Sequence, residues 1–490
     1  MKEKVSKKRL LTSALYFVLF YVILLALVFV MIVLNDTSGW TSYFRTRFSD
    51  ILLLCVCIFL LFGIIYYYLY FENKEFLGET KNVLLILTVI LFSVVACYLV
   101  GKYVNIYARP VAMLAFMFVF LLSRRQAIIL NFVFSFLMFV IDTYTNSYDA
   151  GNVVYFSLLL TFVCGTFGIF LVGGTKTRGG LMLTGIFVSI PTVIVLLLLK
   201  IPEIASIGWI DYVAAAGFGI LGCVLSSMFA LAFLPVFERV FNRLTVFRLR
   251  ELTSTNAPIL VRLKKEAPGT FNHSLIVAHL SETCAVAIGE NAELARAAGY
   301  YHDVGKLKQP DCFTENQSGY NVHDELSPEL SADIIRSHAK DGYELLVAAH
   351  LPEDIADIAR EHHGTLPIKY FYNKAVKLSG DDVDPKDFSY LGPTPRSKIA
   401  AIIMIADASE AASRAIADRS PESVERVVRG IIEERMDLDQ FSDCNITMRE
   451  LTTIKETLVE ALSGVHHHRV KYPAIRFNRE RKAVDEKKED

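Results

Sequence analysis

Long apolar runs fill the first 237 residues of the chain, and this feature restricts the fold more than any other. A helix that crosses a bilayer needs about 20 mostly apolar residues. Eight segments meet that requirement, at residues 12–34, 51–71, 82–101, 108–123, 126–142, 152–174, 180–200 and 210–236. The hydrophobic content of 53% therefore averages a membrane half and an ordinary polar half. We predict a polytopic helical membrane domain over residues 1–237, with an N-terminal anchor followed by seven further spans.

A short charged turn, Ser123–Gln126, joins the fourth and fifth segments. A single re-entrant hairpin is the alternative, although its two apolar arms together are too long for one helix. The first segment is too long for the apolar part of a signal peptide, and no small-residue cleavage site follows it. We expect it to be a retained anchor.

Lys and Arg residues in the short loops predict the orientation, because positively charged loops stay in the cytoplasm. The N-terminus, MKEKVSKKRL, is strongly basic, and eight spans return the chain to the same side. The loops thus placed inside carry Lys74, Lys81, Arg124, Arg125, Lys176 and Arg178, and the last span leads into Arg239, Arg243, Arg248 and Arg250. The outside loops are poorer in positive charge, with Arg45, Arg47, Lys102 and Arg109 as exceptions. Both termini are expected inside.

The spans contain few ionisable residues, and Asp142 and Asp211 are expected at span edges. Ion pathways need buried acids, bases or interrupted helices, so an anchor or sensor is favoured over a transporter. The eight cysteines follow neither a disulfide framework nor the spacing of a zinc site.

The second half of the chain is polar, and its apolar residues recur three or four apart, as in amphipathic helices. Ser327-Pro328 and Ser420-Pro421 are typical of helix starts with proline in the first turn. No run alternates convincingly as a strand does. We predict an all-α domain over residues 238–475 and a charged C-terminal tail over 476–490.

Histidines and aspartates of this half recur in or at the ends of the amphipathic segments, flanked by apolar residues. The series is His273, His302, Asp303, His338, His362, His363 and Asp407. Buried His and Asp side chains are costly unless they are paired or bind metal. Imidazole and carboxylate together suit divalent transition metals. Seven ligands are too many for one tetrahedral site but enough for two metals with a bridging carboxylate, an arrangement that hydrolyses phosphoesters.

The same stretches resemble the HD phosphohydrolase superfamily, and more narrowly its seven-transmembrane members, which are bacterial cyclic di-AMP phosphodiesterases. The matching text includes LRELTSTNAPIL, EAPGTFNHS, YYHDVGKLKQPDCFTENQ, HDELSPELSADIIRSHAKDGYELL, REHHGT, YFYNKA and PRSKIAAIIMIADASEAASR. It covers about residues 238–475 densely, whereas the membrane part matches in layout only. The resemblance implies an HD hydrolase domain in the cytosol, attached to the bacterial plasma membrane.

The resemblance also implies roles for individual residues. His273, His302, Asp303 and Asp407 would bind one metal, and His338, His362 and His363 would bind a second, with Asp303 as the bridge. Lys306 would face the scissile phosphate, and His323 and Arg414 would contact the phosphates. The implied cofactors are two divalent ions, Fe or Mn. The implied partners are a cyclic dinucleotide and the lipid bilayer but no polymeric nucleic acid, and a homodimer is left open.

Two departures from the family pattern stand out. Family members commonly carry a large extracellular domain after the first span, where this chain has only residues 35–50. Asn272 occupies a position where a second histidine is expected. The triple histidine at 466–468 is interpreted as structural or surface, because no other ligand lies near it in the sequence.

Other functions compete with cyclic di-AMP hydrolysis. A degenerate HD module could sense a nucleotide and signal through the membrane, but no metal ligand is missing. The same site could act on cyclic di-GMP or a nucleoside triphosphate. The Gly-Tyr-Pro step typical of cyclic di-GMP enzymes is not found after His363, where the chain reads Gly364-Thr365-Leu366-Pro367.

Overall fold

The structure is a computed structural model of the 490-residue chain. It describes residues 6–35, 48–145, 152–201, 208–380, 383–418 and 420–465. The triple histidine and the charged tail lie outside these ranges. Within them the fold is all-α, as predicted, and the chain divides into two compact units after Ala257. That division lies 20 residues beyond the predicted boundary at 237, because the end of the helix Trp209–Val240 and one further short helix, Val246–Leu252, continue the first unit.

Each of the eight predicted spans overlaps a helix of the first unit. The helices are α1 (Lys7–Asn35), α2 (Phe48–Glu72), α3 (Lys74–Gly78), α4 (Thr80–Tyr103), α5 (Met113–Leu121), α6 (Arg124–Tyr144), α7 (Asn152–Val172), α8 (Arg178–Lys200), α9 (Trp209–Val240) and α10 (Val246–Leu252). A capping box between Ser123 and Gln126 starts α6, since each side chain accepts a hydrogen bond from the backbone of the other residue. The charged turn predicted from the sequence is therefore a helix cap.

Six of these helices are long and apolar enough to cross a bilayer, namely α1, α2, α4, α6, α8 and α9. The fourth predicted span, 108–123, differs from the prediction, because only the nine residues of α5 are helical. A helix of that length rises about 13 Å, less than half of a bilayer's hydrocarbon core. The missing turns are replaced by a 3₁₀ turn at Ile106–Ala108 and by Pro110, which lacks the N–H that a helix interior needs.

Asp142 lies in the last turn of α6, at the edge of the span as predicted, but it is buried rather than exposed to solvent. Its side chain is only 4% exposed, and it forms a buried ion pair with Arg109, which is 5% exposed. The irregular segment before α5 therefore carries a buried charge into the helix bundle.

The second unit contains α11 (Pro258–Glu266), α12 (Pro268–Ile288), α13 (Ala292–Tyr301), α14 (Pro328–Ala348), α15 (Glu353–Glu361), α16 (Lys369–Ser379), α17 (Lys398–Ala415), α18 (Pro421–Asp437) and α19 (Met448–Val465). Both predicted proline starts are confirmed. Ser327 and Ser420 cap α14 and α18, and Pro328 and Pro421 occupy the first turns.

The core of this unit lies among α12, α13, α17, α18 and α19. Fully buried residues such as Leu280, Ile402, Ile403 and Ile454 form it. The helices α12 and α17 pack against each other in this core. Polar residues of the two helices can therefore meet at the edge of the core. All eight cysteines are free thiols, which agrees with the absence of a disulfide framework in the sequence.

Candidate metal centre

His302 and Asp303 lie where α13 ends. His302 is the last residue of that helix turn, and Asp303 leads into a 3₁₀ segment at Val304–Lys308. The His302 Nδ1 donates to the carbonyl of Gly299 at 2.8 Å. A proton on Nδ1 leaves the Nε2 atom of a neutral imidazole as an acceptor, so the lone pair of His302 Nε2 is directed into the site.

Two further histidines use the same arrangement. His338, within α14, donates from Nδ1 to the Ile335 carbonyl at 2.6 Å. His362, just after α15, donates from Nδ1 to the Ala359 carbonyl at 2.7 Å. In each case the carbonyl belongs to the residue three positions earlier, which a helical turn brings beside the ring. Such a partner fixes the tautomer and orientation of a metal-binding histidine.

The Asp303 carboxylate lies between the histidines and is almost fully buried. Its Oδ1 atom is 3.3 Å from His338 Nε2 and 3.6 Å from His362 Nε2. Its Oδ2 atom is 3.3 Å from His302 Nε2 and 3.8 Å from His273 Nε2. One carboxylate oxygen therefore faces each side of the site, as a bridging ligand requires.

His273 on α12 and Asp407 on α17 complete one side. His273 Nε2 is 2.9 Å from Asp407 Oδ1, and His273 Nδ1 is 2.7 Å from Glu410 Oε2. Glu410 was not predicted. It lies three residues after Asp407, on the same face of α17, and that spacing was a usable signal in the sequence.

His363 lies on the open side of the site and is 21% exposed. Its Nδ1 atom is 4.0 Å from Asp407 Oδ2. The ring stacks on Tyr390, with 4.3 Å between centroids and 21° between planes. Tyr390 is a second residue that the sequence analysis missed, because it comes from a loop 27 positions along the chain.

All seven predicted ligands therefore meet in one place. They form two groups with mutual ligand-atom distances within 4.8 Å, one of Asp303, His338, His362 and His363 and the other of His273, His302 and Asp407. The division matches the two metal positions that the family resemblance implied, with Asp303 adjoining both groups.

The chemistry of the donors fits divalent metal ions. His338 Nε2 and His362 Nε2 are 3.3 Å apart although each ring already uses its Nδ1 proton on a carbonyl. His302 Nε2 and Asp303 Oδ1 are buried and have no hydrogen-bond partner among the described residues. Buried acceptors that face one another are costly unless a cation lies between them. The HD domain thus contains a His/Asp cluster suited to divalent metal.

Charges within the site keep its carboxylates ionised. Burial alone would raise the pKa of Asp303, but the Lys306 ammonium and the His302 imidazole hold it well below its usual range. Burial likewise opposes ionisation of Asp407, and its hydrogen bond and charge interaction with His273 hold its pKa far below the ordinary value. Both carboxylates are therefore available as metal ligands at neutral pH.

The histidines divide into two kinds. Burial and the neighbouring imidazoles hold the pKa of His363 well below its ordinary value, and burial also lowers the pKa of His362. His273 is different. Burial lowers its pKa, but hydrogen bonds to Asp407 and Glu410 outweigh that effect and raise it to about 10.

Lys306 lies next to the bridging carboxylate. Its Nζ atom is 2.7 Å from Asp303 Oδ2 and 2.8 Å from Glu315 Oε1, and it lies over the Phe313 ring. Burial lowers the pKa of Lys306, yet the two carboxylates outweigh burial and raise it above the ordinary value. The ammonium is therefore charged at every physiological pH.

The two predicted phosphate contacts lie outside both ligand groups. His323 is buried against Phe371, and its Nε2 atom donates to the Cys312 carbonyl at 2.9 Å. Arg414 is half exposed and pairs with Glu410, so it lies behind His273.

Comparison with known proteins agrees with this description. Residues 48–245 match the family model for a 7TM receptor with intracellular HD hydrolase, and residues 270–412 match the model for the HD domain. The cyclic-di-AMP phosphodiesterase PgpH of Bacillus subtilis (strain 168) is 36% identical over 436 residues, which are 87% of this chain and 60% of that protein. PgpH of Listeria monocytogenes serotype 1/2a (strain 10403S) is 39% identical over 332 residues, 68% of this chain and 45% of that protein.

The crystal structure of the L. monocytogenes PgpH HD domain in complex with cyclic-di-AMP is 45% identical. It corresponds to 44% of this chain and 100% of that chain, with a TM-score of 0.42. The chain studied here spans only 60% and 45% of the two curated relatives. The matches to both family models, in the order membrane domain then HD domain, confirm the resemblance seen in the sequence, and the chain belongs to the family of seven-transmembrane proteins with an intracellular HD hydrolase domain.

Proposed function

We propose that this chain is a metal-dependent phosphodiesterase that hydrolyses cyclic di-AMP to the linear dinucleotide pApA. The observation that carries the proposal is the set of buried nitrogen and oxygen acceptors that face one another around Asp303. The names of the two curated relatives, both cyclic-di-AMP phosphodiesterases, support the choice of substrate. The mixed imidazole and carboxylate donors favour Fe or Mn over Mg and Ca, which prefer oxygen ligands.

Two bound divalent ions would activate a water molecule and stabilise negative charge on the phosphodiester. Two residues of the protein would assist these ions. Asp303 holds the two ligand groups together, since one of its oxygens faces each group. Lys306 presents a permanent positive charge beside that carboxylate, where it can stabilise charge that develops on a phosphate oxygen.

The remaining features fit a bacterial plasma-membrane enzyme. In the proposed arrangement the first unit crosses the bilayer, and both termini and the HD domain face the cytoplasm, where a cyclic dinucleotide messenger is found. His323 and Arg414 are retained as proposed phosphate contacts. His323 Nε2 bonds to the Cys312 carbonyl, but its Nδ1 atom is buried and has no hydrogen-bond partner among the described residues. Arg414 is half exposed beside Glu410.

The test uses the full-length chain in lipid nanodiscs, loaded with Mn²⁺ or with Fe²⁺ under nitrogen. Cyclic di-AMP and cyclic di-GMP are followed by chromatography, and bound metal is counted by mass spectrometry. We expect selective loss of cyclic di-AMP, and Asp303→Ala should abolish it. Asp437→Ala, an exposed aspartate at the end of α18, is the matched control and should keep full activity. Metal-loaded protein that turns over neither nucleotide would contradict the proposal.

A further inference from the structure

The membrane unit contains a stretch of non-helical backbone deep inside the bundle. The carbonyl oxygens of Tyr107 and Arg109 lie against Gly222 of α9, where a Cβ atom would be only 2.9 Å from each of them. Gly222 lies about 20 Å along α9 from Trp209, at ~1.5 Å per residue, so this contact is within a helix long and apolar enough to cross a bilayer. Irregular backbone is tolerated there only where it is buried in protein or lines a cavity.

A buried ion pair fixes this stretch. Both terminal nitrogens of Arg109 donate to the Asp142 carboxylate at 2.9 Å, and one also donates to Ser157 at 2.8 Å. Charged groups at membrane depth are expensive, and where they occur they usually mark a functional site. Since Arg109 is bidentate to Asp142, the two charges neutralise each other.

A cavity of about 350 Å³ adjoins the pair, within the size range of small-molecule sites. It lies among α1, α4 and α6, and its polar lining consists of Asn35, Tyr98, Lys102, Arg109 and Asp142. Apolar side chains such as Val94 and Met138 form the rest of the wall. A cavity of this composition offers both an apolar surface and converging hydrogen-bonding groups.

Lys102 adds a second positive charge to the described lining of the cavity. Its Nζ atom donates to the Leu34 carbonyl at 3.0 Å and to the Tyr98 hydroxyl at 3.3 Å. Among the residues that the structure describes, no carboxylate lies within ion-pair distance of it. An ammonium has three donors, so one remains for a ligand. Among the described lining residues, Lys102 and Arg109 are positive and Asp142 is negative.

The cavity adjoins the C-terminal end of α4, whereas the C-terminal end of α9 lies near the N-terminal end of α4. Arg243, which follows α9, bonds to Asn82 in the first turn of α4, whereas the cavity adjoins the last turns of α4. A ligand would therefore approach from the side of the bilayer opposite to the one at which α9 ends.

We infer that this cavity is a binding site for a small organic anion with a single negative charge, held by Lys102 and the Arg109–Asp142 pair. The anion is either a free solute or the headgroup of an anionic lipid, since both present the same charge. The inference does not depend on the proposed phosphodiesterase activity.

The test measures how a small organic anion enters the cavity. Ile106→Cys places a thiol on its wall, and Tyr103→Cys places one beside Lys102 but outside the cavity, on a residue that is 73% exposed. Each full-length variant in zwitterionic nanodiscs is treated with 2-sulfonatoethyl methanethiosulfonate or with its trimethylammonium analogue. Modification at the introduced cysteine is followed by mass spectrometry of the corresponding peptide.

We expect the anion-to-cation rate ratio at position 106 to exceed that at position 103 by about tenfold. Lys102→Gln should abolish this preference, and Lys102→Arg, which keeps the charge, should retain it. Equal ratios at the two positions, or failure of both reagents to reach position 106, would overturn the inference. Adding phosphatidylglycerol to the nanodiscs identifies the source. Greater slowing of the anionic reagent at position 106 than at position 103 indicates a lipid headgroup, and equal slowing at the two positions indicates a free solute.

Discussion

At the residue scale, the metal centre depends on a local arrangement shared by three histidines. His302, His338 and His362 each donate Nδ1–H to the carbonyl three residues earlier. The helical backbone thereby selects the tautomer before any metal binds, and it leaves the three Nε2 atoms as acceptors around Asp303. This preorganisation lowers the cost of assembling a site from five elements that are far apart in the chain.

Lys306 provides the first prediction at this scale. Lys306→Gln should lower kcat by about 10²-fold, the typical cost of losing one preorganised charge-stabilising donor. Bound metal should stay unchanged, because Lys306 is not in either ligand group. Lys308→Gln is the control, since Lys308 is mostly exposed and pairs with Asp341. An equal loss in both variants, or loss of metal from Lys306→Gln, would show that Lys306 has a structural role only.

His273 provides a prediction about pH. In the metal-free protein its pKa is raised to about 10, so at pH 8 both ring nitrogens carry protons. This raised pKa stabilises the metal-free fold at low pH, and the stabilisation is lost as the pH rises through about 10. A metal ion that takes Nε2 must displace one proton, so its affinity should increase about tenfold per pH unit between pH 7 and 9.

Calorimetry with Mn²⁺ in buffers of different ionisation enthalpy measures that proton. We expect about one proton released per protein at pH 8 from His273. His362 and His363 should release none, because their lowered pKa values leave them neutral. Glu410→Gln removes a hydrogen bond that raises the pKa of His273, so it should release less, whereas the exposed Glu422→Gln should match the wild type. A binding enthalpy that is independent of buffer would contradict this account.

The seven residues of the His/Asp cluster could be predicted from the sequence because their residue types and order are specific to the family pattern. Glu410 and Tyr390 could not be predicted with the same ease. Glutamate is common on helices, and a role for Glu410 follows only from the position of His273 on α12, a helix distant in the chain. Tyr390 reaches His363 through a loop whose path no periodicity describes.

At the element scale, the 3₁₀ segment after Asp303 must lie extremely close to α14. A Cβ atom on Gly305 would be 1.9 Å from the carbonyl oxygen of His338 and 2.5 Å from the backbone nitrogen of Gly342. Real side chains do not tolerate such distances to backbone atoms. Any larger residue at 305 must therefore move Asp303 and Lys306 away from His338.

Gly305→Ala should accordingly destabilise the HD domain and lower its metal affinity. Gly430→Ala on α18 is the matched control, since a Cβ atom there meets nothing within 4 Å. That change should stabilise the helix by about 0.5–1 kcal/mol, the usual advantage of alanine over glycine in a helix. Thermal unfolding and metal titration of both variants test this. A neutral Gly305→Ala would mean that the two elements are not in contact.

Helix positions could largely be predicted because 3.6-residue periodicity and apolar length are local properties of the sequence. The predicted length of the fourth span was wrong, because its helix is interrupted by a tertiary interaction that the local sequence does not show. Its apolar residues suit a helix, but Arg109 leaves the helical path to pair with Asp142 on α6. The Arg-Pro step was a signal for a break, yet its partner could be identified only from the tertiary structure.

At the scale of the whole molecule, the two units place apolar residues differently. The helices of the first unit expose large apolar side chains such as Phe71 and Trp209, whereas most isoleucines and leucines described in the second unit are buried or half-buried. The first pattern suits a lipid environment and the second suits water. The composition of the sequence predicted this contrast, because membrane exposure requires whole apolar helices rather than one apolar face.

The orientation of the first unit is the last prediction. Of the four positive residues that oppose the predicted topology, Arg109 is neutralised by Asp142 inside the bundle and is not a loop charge. This strengthens the bias of positive residues toward the side that carries Lys74, Lys81 and Arg124.

In intact cells, a membrane-impermeant maleimide should label Asn105→Cys, at the end of α4, but Glu75→Cys only after lysis. Asp437→Cys on the HD domain should behave like Glu75→Cys, because eight crossings return the chain to the side where it began. Labelling of Glu75→Cys in intact cells would invert the topology, and different behaviour of positions 75 and 437 would show that the short α5 does not complete a crossing.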